Sequence, residues 1–106
     1  MEYLLELGIS KNLVNFLSSS SDFEDLRTGS DNVQSSIEYL LSLGVDIKTI
    51  EDMLFNDYTI FMGGKSSLEK LLGNVDKEKL VYYLNNNFDS PLYILLLHIS
   101  LHLMLL

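Results

Sequence analysis

Three groups of residues in this 106-residue chain have side chains and spacings that could do chemistry. Gly63-Gly64-Lys65-Ser66 follows an apolar stretch and precedes a helix-forming run, the residue types that end a phosphate-cradling loop. Such a loop needs a glycine six residues before its lysine, so that successive backbone amides converge on phosphate. Thr59 stands there instead, and no strand pattern supplies the parallel sheet that would carry the loop. The run reads as a flexible turn leading into a helix. His98 and His102 would share one helix face, a spacing that suits a metal pair. The chain has no cysteine, and no acid lies between or after these histidines, so they read as core or interface residues. Glu51, Asp52 and Asp57 offer carboxylates, but acid–base catalysis also needs a partner group within reach, and no histidine lies near them in sequence. No enzyme activity, metal or cofactor is expected.

The carboxylates matter more as a field. Residues 1–57 hold eleven acids and three bases, and residues 58–106 hold four of each, so the whole net charge of −8 belongs to the N-terminal half. That half repels nucleic-acid phosphates and attracts basic surfaces. Asp22, Glu24 and Asp25 cluster in one Ser-rich stretch, and Glu51, Asp52 and Asp57 cluster near one helix end. These six are the candidate partner-binding residues. The same charges also suit plain solvated helix faces that keep a protein in solution.

The elements that must position these groups show an internal repeat. Met1–Leu17, Ile37–Leu54 and Leu68–Leu84 each read as a short apolar helix, a glycine turn and a second amphipathic helix, the third with one residue fewer in its turn. Val33, Ile37, Leu40, Leu41 and Gly44 follow the spacing of one helix face, with Leu40 and Leu41 both expected in the core. Gly8, Gly44 and Gly73 sit where helices must stop, in the left-handed conformation that costs glycine no Cβ clash. Asp31 with Gln34, and Ser66 with Glu69, have capping-box spacing, and Asp46 and Asp76 are placed to cap the helices that follow their turns. The inner faces are Leu13, Val14 and Leu17, then Ile47, Ile50 and Leu54, then Leu80, Val81 and Leu84. Ser18–Asp25 is expected as an exposed loop that Phe23 and Leu26 pin to the body. Asp57–Gly64 is expected as a buried irregular turn or a short strand. Asn85-Asn86-Asn87 reads as a helix-terminating run.

The C-terminal segment, residues 91–106, is apolar. Ser90-Pro91 suits a helix start, and from Leu92 to Leu106 only Tyr93, His98, Ser100 and His102 interrupt it. A helix of that length spans roughly 22 Å, short of the ~30 Å hydrocarbon core, so no membrane span is expected. The alternation in Leu97–Leu103 keeps a strand reading open, but a helix is favoured, buried in the core or in a homo-oligomer contact. Met1-Glu2-Tyr3 carries no basic run, so no secretory leader is expected and the expected location is cytoplasmic.

The repeated unit, clearest in Ile37–Leu54, resembles the helical repeats of the mitochondrial transcription termination factor family over about residues 1–86. Family repeats place a proline after the second helix, whereas Phe55–Phe61 has none. Family members bind nucleic acid through basic surfaces, which the acidic half lacks. Leu7-Gly8-Ile9 followed by Asn32-Val33 and Ile37-Glu38-Tyr39-Leu40-Leu41 is similar to a ubiquitin-associated domain, with a longer connection between the two motifs. In size, acidity and lack of catalytic residues the chain also resembles, as a class, the small acidic anti-CRISPR proteins, which block basic nucleic-acid channels.

The sequence therefore predicts one all-α domain over residues 1–106, a compact bundle or short solenoid of six to seven helices. Its expected role is protein binding, with a basic surface of a larger protein as partner. One alternative is a nucleic-acid-binding helical repeat, which requires Lys65, Lys70, Lys77 and Lys79 to form a patch. Another is a ubiquitin-like partner docking at Leu7-Gly8-Ile9.

Overall fold

Helix follows apolar periodicity along the chain, and glycine marks most of its interruptions. The computed structural model describes residues 1–73, 75–86, 91 and 93–95. Its elements are α1 (Glu2–Glu6), α2 (Lys11–Ser18), α3 (Phe23–Thr28), α4 (Ser30–Leu43), α5 (Ile47–Asn56), a 3-10 helix (Tyr58–Phe61), α6 (Gly64–Leu72) and α7 (Lys77–Asn85). No strand occurs among the described residues. The fold is an all-α bundle whose radius of gyration, 13.5 Å, is close to the ~13 Å of a compact chain of this length. No helix among the described residues is long and apolar enough to cross a membrane.

Helix pairs stand where the repeats place them: α1 with α2, the second half of α4 with α5, and α6 with α7. Two of the turns share one geometry. Gly8 and Gly44 have φ of 100° and 102°. Just beyond them, the Ile9 amide donates to the Leu4 carbonyl at 3.0 Å and the Val45 amide to the Leu40 carbonyl at 3.1 Å. This six-to-one bond satisfies a carbonyl that the helix end leaves open. Gly73 differs, with φ 46° and ψ −118°. Just beyond it, the Val75 amide donates to the Leu72 carbonyl at 2.8 Å.

Several local expectations are corrected. Within Ser18–Asp25, Glu24 and Asp25 lie on α3 and not on a loop. Their charge suits the positive end of a helix, and Leu26, fully buried, holds α3 against the body. Asp57–Gly64 forms neither a strand nor an irregular turn: it contains the 3-10 helix, started by Asp57, whose carboxylate accepts the Thr59 amide at 3.0 Å. Neither capping box forms. α4 begins at Ser30 directly after α3 and Gly29, which leaves Asp31 inside the first turn. α6 begins at Gly64, ahead of Ser66, and the Lys65 amide donates to Ser35 Oγ of α4 at 3.1 Å. Asp76 does cap α7, accepting the Lys79 amide at 3.2 Å. Asp46 sits at the N-cap of α5 without a side-chain bond.

α4 is the central helix, and its broadest contact is with α6. Val33, Ile37 and Leu40 are buried along it, while Leu41 is half-buried, because successive helical residues point about 100° apart. Gly64 is buried at φ +80°, where an added Cβ would lie 2.9 Å from Asn32 Oδ1. The glycine expected to be flexible is a close-packing device. Buried Ser36 donates to the Phe61 carbonyl at 2.8 Å and buried Thr49 to the Leu84 carbonyl at 3.3 Å, so neither hydroxyl is left unsatisfied. Asn85, expected only to end α7, also clamps the second turn. Its amide donates to the Gly44 carbonyl and its oxygen accepts the Asp46 amide, both at 2.8 Å.

Residues 91 and 93–95 are helical, and Pro91, Ile94 and Leu95 are buried. The remainder of the apolar tail, His98 and His102 included, and Asn87 lie outside the described residues.

Candidate protein-binding surface

None of the eleven carboxylates of residues 1–57 is buried. Their local roles differ. Glu24 forms a two-pronged pair with Arg27, at 2.8 and 2.9 Å, and the guanidinium holds its carboxyl below the usual range. Glu51 Oε2 accepts the Ser10 amide at 2.7 Å and so ties the start of α2 to α5. Asp57 caps the 3-10 helix. Asp25 accepts the Tyr58 hydroxyl at 2.6 Å.

Tyr58 is the group that links the two predicted clusters. Its pKa is pushed up to about 12, first by the hydrogen bond to Asp25, then by burial, then by the negative charge of Asp25, Asp22 and Asp57. The structure thus gathers Asp22, Asp25 and Asp57 around one phenol. Asp52 and Glu51 stand further back along α5. The carboxylates of Asp22 and Asp52 make no hydrogen bond or ion pair among the described residues. Four of the six predicted residues therefore have internal work, and two present their charge outward alone.

An exposed aromatic pair was not foreseen in the sequence. Phe16 on α2 and Phe55 on α5 are 53% and 59% exposed, yet their rings meet with centroids 5.3 Å apart and planes tilted by 40°. The inner stripes contain Val14 and Leu17 on α2, and Ile50 and Leu54 on α5. A phenylalanine next to the last of these falls about 100° off the stripe. That offset was the available signal. Tyr58 and Ser10 carried no comparable mark, since their roles depend on partners 33 and 41 residues away.

The lysines of the alternative reading have local partners in part. Lys65 lies 3.8 Å from Glu69 and 6.0 Å from the centre of the Tyr39 ring, and Lys77 Nζ donates to the Gly73 carbonyl at 3.1 Å. Lys65 also borders an open groove of about 250 Å³ with Ser35, Glu38, Tyr39 and Ser42. At the Leu7-Gly8-Ile9 turn, Leu7 is half-buried and Ile9 is buried in the core. No group of three or more acidic or histidine side chains among the described residues is arranged to hold a metal ion. Comparison of the chain with family models, with curated proteins and with solved structures finds no match in any of the three.

Proposed function

We propose that this chain is a non-catalytic protein-interaction module whose acidic N-terminal half docks on a basic surface of a larger protein. One observation carries the reading. Of the eleven carboxylates in residues 1–57, only Glu24 has a cationic partner among the described residues, and all eleven reach solvent. The field of that half is therefore not cancelled internally, and it favours encounter with cationic surfaces over phosphates. In its most concrete form the partner is a nucleic-acid-handling enzyme and the module is its inhibitor, as in the anti-CRISPR class, with carboxylates standing where phosphates would bind.

Competition tests this form. The immobilised full chain should retain a basic enzyme at low salt, and the enzyme's own nucleic acid should displace it. An enzyme that binds chain and nucleic acid together, each with unchanged affinity, would rule out inhibition by channel blockage.

A further inference from the structure

We infer that the Phe16–Phe55 pair is the apolar anchor of the acidic face, and that it takes an aliphatic side chain flanked by arginines on a basic amphipathic helix of the partner. The inference deepens the proposed function and rests on it. The two rings are held together but uncovered, 53% and 59% exposed, whereas twenty apolar side chains among the described residues are buried. Interfaces concentrate their energy in such aromatic clusters, surrounded by polar groups that exclude water.

Charge identifies the occupant. Phe16 and Phe55 lie in the last turns of α2 and α5, and neither last turn holds a basic residue. The partial negative charge of each helix end is therefore not offset from within its own last turn. Glu51 and Asp52 precede Phe55 by four and three residues, which puts them on its side of α5. Aromatic faces add their own negative potential, which favours guanidinium groups. An aliphatic side chain between two arginines one turn apart matches this arrangement of rings, carboxylates and helix ends. A second copy of the chain fits worse, since a self-complementary contact would set Glu51 and Asp52 against their own like charges.

The test uses the full chain and two synthetic helical peptides of about 18 residues, five turns each. Both carry the same arginines; one has leucines along a single face and the other has serines in their place. Nuclear magnetic resonance titration at low salt should show the leucine peptide binding at least about tenfold more tightly, with shifts at Phe16, Phe55 and Asp52. Phe16→Ala with Phe55→Ala should remove that advantage while leaving the serine peptide's weak binding unchanged. The Phe16→Leu, Phe55→Leu pair keeps apolar area without the rings. It should keep part of the leucine advantage and lose preference for arginine over an equal number of lysines. Equal binding of both peptides, unaffected by the alanine pair but abolished by salt, overturns the anchor and leaves the acidic-face reading standing. Failure of both peptides to bind at low salt overturns both. A concentration-dependent dimer that the alanine pair abolishes makes the occupant a second copy and overturns the proposal.

Discussion

The α4–α6 seam and the α2–α5 edge are both helix contacts, but they treat their side chains in opposite ways. Along the seam Leu68 and Ile37 are fully buried and Gly64 gives up a side chain so that α4 can approach, while beside it Ser36 donates to the Phe61 carbonyl of the 3-10 helix. At the edge, Glu51 ties α5 to the start of α2, and then two phenylalanines are left in solvent beside an unpaired Asp52. Sequestering an apolar ring ordinarily contributes stability, so a paired, exposed one beside uncompensated charge points to a contact made with something else. On the proposed reading the seam carries the fold and the edge carries the interaction.

Substitutions can break that division. Leu40→Ala in α4 should cost about 2–5 kcal/mol, read by denaturant unfolding, because it opens a cavity in the central packing. A loss below about 0.5 kcal/mol would show that α4 is packed in a different phase. Gly64→Ala should cost about 1–3 kcal/mol, through a positive φ that alanine resists and a clash with Asn32. At the edge, Phe16→Ala with Phe55→Ala should cost about 0.5–1.5 kcal/mol for the aromatic pair, beyond the partial burial that each half-exposed ring loses. A larger loss would move the pair from the interaction to the fold.

The smallest effect is a titration. Tyr3 and Tyr58 both have pKa values raised to about 12, Tyr3 by burial and Tyr58 first by its bond to Asp25. A raised folded-state pKa favours the protonated fold. The linked stability is therefore fully present below the ordinary tyrosine pKa near 10 and is lost as pH rises through about 12. Ultraviolet titration of the six tyrosines should show a late component, and Tyr58→Phe should shrink it. An unchanged late component would mean that the Tyr58–Asp25 bond does not form in solution.

Much of the fold was legible because it is local. The glycines at 8, 44 and 73 mark real turns, and the 3.6-residue period found the buried stripe of α4. What local reading missed depended on distant partners. The caps expected at Asp31 and Ser66 failed because α3 runs almost directly into α4, and because Ser35 of α4 supplies the acceptor for the Lys65 amide. The candidate site was legible as charge and illegible as geometry. Counting acids found six carboxylates, but only the folded chain separates those committed to Arg27, Ser10, Thr59 and Tyr58 from Asp22 and Asp52. Reversing Glu24 and Asp25 would thus disturb a salt bridge and a tyrosine bond together, which makes Asp22 and Asp52 the cleaner probes.

The most direct test of the central claim is the association rate of the full chain with its captured basic partner, followed against ionic strength. Charges are screened over about 8 Å at physiological salt, so a steered encounter slows as salt rises. Asp22→Lys with Asp52→Lys should slow association severalfold and flatten the salt dependence, with a smaller effect on dissociation. Lys77→Glu with Lys79→Glu should leave binding to that partner unslowed. An association rate indifferent to both salt and the Asp22 and Asp52 reversals would contradict the claim that the acidic half is the binding face.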